Sequence, residues 1–313
     1  MGSEITWSPV SLDLGWGHMA GKSCVVGGGV HTSGLRILGV HGWLDNANSF
    51  DTLAPYLPCG VKLLVLDLPG HGHSDHLPAG AQYDLITYVL HLRRAMDKVG
   101  WDRFVILGHS LGGGITTFFT ALFPKRVIAI ITLDSIIFRP MTIEDLQMNV
   151  ATLLKGEVLK KQENLVYSEQ QAIERLISAR GEAAIDADAA YILLPRSAQQ
   201  VEGGYMWSHD HRARARLHSI FTVDGWRMII SSIKCPVLIV AANQGICTPP
   251  VREAMKGAIE WFRSNAQWFE LAPVDGSHHV HLTYPERVAK PLVPFLQRVA
   301  LEAASPKPLQ ARL

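Results

Sequence analysis

Residues 106–115 read ILGHSLGGGI and set one serine, Ser110, among glycines at 108, 112, 113 and 114, directly after an apolar run. An ordinary turn around a serine needs one glycine at most. The spacing Gly108-x-Ser110-x-Gly112, with a strand-like run before it and a helical stretch after it, meets the requirements of a nucleophile elbow. Such a turn lifts the serine hydroxyl off the backbone, and it crowds the positions two residues to either side until a side chain there has no room. Gly113 and Gly114 extend the small face and let the helix lie close to a sheet. A phosphate-binding loop would read GxxxxGK[ST] or GxGxxG, and neither is present.

An elbow needs a parallel sheet around it, and the rest of the chain supplies one. LRILGV (35–40), VKLLVLDL (61–68), RFVILG (103–108), RVIAIITL (126–133) and CPVLIVAA (235–242) are continuous apolar runs, suited to strands buried on both faces. AQWFELA (266–272) predicts a last strand, and residues 7–14 and 18–26 predict a hairpin around Gly15–Gly17. Helical patterns occupy 48–57, 83–100, the segment after Ser110, 250–264 and 284–301. Strand and helix alternate, so the fold class is α/β with a mostly parallel central sheet flanked by helices. One polar, helical interval interrupts the alternation. The division is therefore a core in two parts, 1–138 and 233–313, with a helical cap inserted at 139–232.

Composition closes off several classes of function. Hydrophobic residues make up 48% of the 313, enough for a large core, and the net charge is +1 with no basic stripe, so nothing favours nucleic acid. No apolar run reaches the ~18 residues of a membrane span. Cys24, Cys59, Cys235 and Cys247 are scattered without metal or disulfide spacing, and no HExxH motif occurs. No metal and no cofactor is expected.

Together the elbow, HGWLDNANSFDTLAP (41–55), DLPGHGHSDH (67–76), VEGGYMWSHDHR (201–212) and GSHHVHLTYPERVA (276–289) resemble the α/β-hydrolases, and among them the animal serine hydrolase-like proteins. The resemblance implies Ser110 as nucleophile, with the backbone N–H groups of Leu111 and Trp43 as oxyanion hole. It selects His278 as base. His281 falls on a structural position and His279 on a bystander. His71, His73 and His109 belong to loop motifs that set local hydrogen bonds.

The third member of a triad is less plain. Most relatives carry an aspartate after the strand corresponding to CPVLIVAA, but here the loop reads NQGICTPP (243–250), without a carboxylate. Some relatives place the acid at the end of the preceding strand, which is Asp134 here. Glu253 and Asp275 are the alternatives; Asp45, Asp67 and Asp75 fit turns and loop caps better.

The expected function is hydrolysis of an ester, thioester or related acyl bond in a small-molecule substrate, through an acyl-enzyme and a Ser-His-Asp mechanism. A serine nucleophile sets the chain apart from the dehalogenase and epoxide-hydrolase branches, which use aspartate. The competing expectation, from the missing carboxylate in 243–250, is a ligand-binding pseudo-hydrolase or a very slow receptor-like enzyme. Tyr205 and Trp207 of the cap are expected at the pocket. The terminal Ala-Arg-Leu (311–313) is a variant of the peroxisomal Ser-Lys-Leu address, so the expected location is the peroxisome, by way of an import receptor, or the cytoplasm. MGSEIT at the start fits the loose myristoylation pattern.

Overall fold

The computed structural model describes residues 5–27, 34–135, 141–159, 165–181, 185–215, 222–245 and 249–304. The amino-terminal glycine and the Ala-Arg-Leu tail lie outside the described residues. Ten strands run in chain order as β1 (Ser8–Asp13), β2 (His18–Val25), β3 (Arg36–Val40), β4 (Lys62–Leu66), β5 (Phe104–His109), β6 (Val127–Leu133), β7 (Ala198–Val201), β8 (Gly204–Trp207), β9 (Val237–Gln244) and β10 (Phe269–Ser277). Eight of them form one sheet in the order β1-β2-β4-β3-β5-β6-β9-β10, and β7 and β8 pair on their own. From β4 to β10 every neighbouring pair is parallel; β1 and β2 add an antiparallel hairpin at one edge.

Helices cover both faces of this sheet. They are α1 (Leu85–Val99), α2 (Leu111–Leu122), α3 (Ile143–Leu159), α4 (Glu169–Ser178), α5 (Ala187–Ser197), α6 (Val223–Ser231), α7 (Pro249–Asn265), the single turn α8 (Val280–Thr283) and α9 (Pro285–Ala304). Strand β5 is buried along its whole length, as the apolar run predicts. Its side chains alternate between two cores. Phe104 and Ile106 join the cluster under α1, α2, α6 and α7, while Val105 and Leu107 join the one under α9. Helix α9 enters the second cluster through Val288, Leu292, Phe295, Leu296 and Val299, spaced as one helical face. Asp84 caps the start of α1 by accepting from Thr87 N, and Gly100 ends it in the left-handed conformation.

Three local expectations shift. Residues 48–57 form two short 3₁₀ turns, Ala47–Phe50 and Ala54–Tyr56, in place of a helix: Pro55 has no N–H to give to a preceding turn. The last strand begins at Phe269 because Ala266 still donates to the Phe262 carbonyl and so belongs to the end of α7. Helix α6, inside the interval 139–232 expected to form a cap, sends Trp226, Ile229 and Ile230 into the core cluster beside α2 and α7. The apolar cluster of the cap itself is built from α4 and α5, with Ile173, Leu176, Leu193 and Leu194 packed over Leu282 of α8.

Candidate active site

Strand β5 ends at His109 and α2 begins at Leu111, so Ser110 alone makes the turn, at φ +52°. Its N–H donates to the Leu133 carbonyl of β6, which holds the turn against the sheet. The glycines answer to space. A Cβ at Gly112 would stand 2.7 Å from the Val40 carbonyl carbon and 2.8 Å from the His41 oxygen, and one at Gly108 would overlap the Gly112 backbone and the Thr116 hydroxyl. Among the described residues only Leu44, Ser110 and Asp134 are non-glycines with positive φ. All three lie at this site. Each such conformation costs roughly 1–3 kcal/mol and persists only where its surroundings enforce it.

Asp134 follows the last residue of β6 and is buried. Its N–H donates to the Val240 carbonyl of β9, and its Oδ1 accepts from Ala242 N at 3.0 Å. The other oxygen, Oδ2, lies 2.6 Å from His278 Nδ1. A carboxylate can only accept, so Nδ1 carries the proton and Nε2 keeps its lone pair. Burial pushes the His278 imidazole below its ordinary value, against the pull of the Asp134 hydrogen bond, which keeps it neutral at neutral pH. The His278 loop is also tied to the elbow, because His109 Nε2 donates to the His278 carbonyl at 3.0 Å.

The loop that lacks a carboxylate has a different part. A Cβ at Gly245 would stand 2.5 Å from Asp134 Cγ, so the bare backbone of Gly245 is what leaves room for that carboxyl group. Asn243, next to last in β9, ties to the irregular end of β10: its Nδ2 donates to Asp275 Oδ1 at 2.7 Å, and its Oδ1 accepts from Gly276 N. Asp275 is thereby engaged with Asn243. The Glu253 side chain lies outside the described residues.

On the opposite side of Ser110 runs the turn after β3. His41 Nε2 accepts from Leu68 N and its Nδ1 donates to the Gly42 carbonyl, fixing the tautomer and the turn together. Gly42 abuts the elbow closely: a Cβ there would lie 3.2 Å from Ser110 Cβ. Trp43 follows, its indole Nε1 bonded to the Ala213 carbonyl of the cap at 2.8 Å. Leu111 is the first residue of α2, where a backbone N–H has no acceptor within the helix. The two candidate oxyanion donors thus come from the first residue of α2 and from the turn after β3.

Behind this turn sits a buried cluster that joins residues read separately in the sequence, His279 as a bystander, His109 in a loop motif and Asp45 as a loop cap. His279 Nε2 donates to Asp45 Oδ2 at 3.1 Å, His109 Nδ1 lies 3.5 Å from the same oxygen, and Arg180 Nη2 of the cap donates to Asp45 Oδ1 at 2.6 Å. Burial opposes charge on Asp45, yet His279 and Arg180 hold its carboxyl well below the usual range. His279 is therefore not a bystander, and Asp45 is more than a loop cap. Asp45, His109 and His279 also bring three possible metal-ligand atoms within 4.8 Å of one another. A guanidinium already supplies the cation at this carboxylate, which makes the set a latch between core and cap. Asp67 repeats the device: it accepts from Ala47 N and His73 N and pairs with Arg196 of α5. His281 bonds Ser49 Oγ at 2.8 Å, and His73 reaches the Pro195 carbonyl of the cap.

Between core and cap lies a cavity of about 450 Å³ whose floor is Trp43, Leu44 and Asp45 and whose cap wall includes Arg175, Arg180, Trp207 and Arg214. Of the two aromatics expected at the pocket, Trp207 lines this cavity and Tyr205 does not; the Tyr205 hydroxyl donates to Glu169 Oε2.

A strand-elbow-helix with a histidine and a buried carboxylate on the neighbouring strand ends is the arrangement of the α/β-hydrolase fold, and residues 36–285 match the model of that family. The chain belongs to the α/β-hydrolase family. It is 32% identical to a serine hydrolase-like protein of Danio rerio, over 93% of this chain and 88% of the relative. It is 30% identical to serine hydrolase-like protein 2 of Homo sapiens, over 93% and 94%. Among solved structures, a hypothetical protein of Pseudomonas aeruginosa PAO1 superposes with a TM-score of 0.74 at 29% identity, covering 95% of this chain and 99% of the other. The thioesterase domain of a curacin biosynthetic pathway shares the fold, with a TM-score of 0.72 at 22% identity over 92% and 99%. The family match and the serine hydrolase-like relatives support hydrolase activity. Among the described residues, no helix is long and apolar enough to cross a membrane.

Proposed function

We propose that the protein cleaves a carboxylic ester or thioester through an acyl-enzyme on Ser110. The Ser110 hydroxyl attacks the substrate carbonyl and its proton passes to His278 Nε2. Asp134 accepts from Nδ1–H and balances the imidazolium that forms. The N–H groups of Leu111 and Trp43 stabilise the negative oxygen. His278 then protonates the leaving alcohol or thiol, which departs. Water, deprotonated by the same imidazole, attacks the acyl-enzyme and releases the acid and Ser110.

The observation that carries this reading is the 2.6 Å contact between His278 Nδ1 and Asp134 Oδ2. It favours the tautomer a general base needs, and it supports the enzyme over the pseudo-hydrolase, whose premise was that no acid is at hand. A panel of acyl esters and thioesters tests it. Wild type turns over at least one of them and Ser110→Ala loses that turnover while keeping its fold. Equal hydrolysis by the two proteins would overturn the assignment.

A further inference from the structure

The cavity beneath the cap has a charge pattern that the hydrolytic step does not use. Three guanidinium groups, Arg175, Arg180 and Arg214, face it against a single carboxylate, Asp45. The chain as a whole carries a net charge of only +1, so this surplus is local. Arg180 is taken up by Asp45 at 2.6 Å. The other two are placed without being neutralised. Arg175 lies over the Tyr167 ring, 4.4 Å from its centroid, and Arg214 Nε donates to His209 Nε2 at 3.1 Å. Burial pushes His209 down to about 4, so at neutral pH it is an uncharged acceptor. Neither arginine pairs with a carboxylate among the described residues.

An aromatic face and a neutral imidazole orient a guanidinium while leaving its charge available. Both arginines are exposed, at the mouth, and the inner walls are apolar, with Trp43, Leu176 and Trp207. The floor residues Trp43–Asp45 continue from Gly42, which abuts Ser110. A ligand with an apolar body and an anionic end fits this gradient, the body inward toward the elbow and the charge at the mouth.

We propose that the substrate carries an anionic group, a carboxylate on its acyl chain or a phosphate on its leaving group, bound by Arg175 and Arg214. This rests on the hydrolase reading above. The test uses two matched pairs. In the first, p-nitrophenyl esters of equal length end in a methyl or in a carboxylate. In the second, one acyl group is presented on coenzyme A or on uncharged N-acetylcysteamine.

Two exposed ion pairs give about a tenfold preference in kcat/KM for the anionic member of one pair. That preference falls to near unity in Arg175→Gln/Arg214→Gln and shrinks at high salt. The pair that shows it identifies the source of the charge. No preference in either pair, or one that survives the double substitution, overturns the proposal. If no substrate is hydrolysed, the hydrolase reading fails separately. Calorimetry on Ser110→Ala with decanoate, decyl phosphate and decanol then decides the subsite: tighter binding of an anion, lost with the two arginines, supports it, and equal binding overturns it.

Discussion

Gly245→Ala puts one methyl group where the Asp134 carboxyl now sits. The new Cβ would lie 2.5 Å from Asp134 Cγ, against the roughly 3.5 Å that two carbons need, so the carboxyl group must retreat by about 1 Å. Gly245 is not at positive φ, so alanine meets no backbone strain there and the effect is confined to the contact. The retreat lengthens the bond to His278 Nδ1 and disturbs the one from Ala242 N. A displacement of that size near the reacting groups costs about 10²-fold in rate, and complete loss of the acid sets a ceiling near 10⁴-fold. Stability falls by about 1–3 kcal/mol as the packed site adjusts. Steady-state kinetics on the best ester, with urea denaturation of both proteins, measures the two effects. A folded Gly245→Ala protein with wild-type kcat would refute the reasoning, since it would mean that the position of Asp134 is immaterial.

Asp134→Asn lowers kcat by about 10⁴-fold with its far-ultraviolet circular dichroism retained, whereas Asp275→Asn, whose partner is Asn243, changes kcat by less than about tenfold. Arg180→Gln strips the cation from buried Asp45 and costs about 3 kcal/mol, read as a lower urea midpoint. Stability also falls as the medium is acidified. Burial lowers the imidazoles of His41, His71, His109, His278, His279 and His281 in the folded protein, His71 to about 3, while the unfolded chain takes up protons near 6.5. The contribution of such a group is complete above 6.5 and is lost as pH falls toward its folded value, by up to about 1.4 kcal/mol per pH unit for each fully buried histidine. Thermal midpoints between pH 7.5 and 5 check this, and a midpoint that rises on acidification would contradict it. For the same reason activity is retained somewhat below pH 6.5, because His278 stays neutral there.

The elbow, the sheet and the histidine that meets Asp134 could be read from the chain because each is written in consecutive residues. Gly108 and Gly112 mark a steric requirement, the apolar runs mark doubly buried strands, and GSHHVHLTYPE places His278 by its frame. The contact of Asp134 with His278 was harder to read because it depends on the end of β6 meeting the loop after β9. The one local sign was Gly245, a glycine inside a loop otherwise notable for what it lacks. The Asp45 cluster left no trace in the sequence. It draws on a turn after β3, the residue before Ser110, the residue after His278 and an arginine 135 positions from Asp45, and no spacing rule links them. Helix α6 shows the same limit, since nothing in its local sequence says that Trp226, Ile229 and Ile230 pack with α2 and α7.

The central claim, that Ser110 is a nucleophile activated by His278, is tested most directly by a fluorophosphonate. Intact-mass and peptide mass spectrometry of the treated protein should show one phosphonyl adduct, on Ser110. Labelling should slow by orders of magnitude in His278→Ala and disappear in Ser110→Ala. A wild-type protein that remains unlabelled, or one that carries the adduct on another residue, would contradict the account.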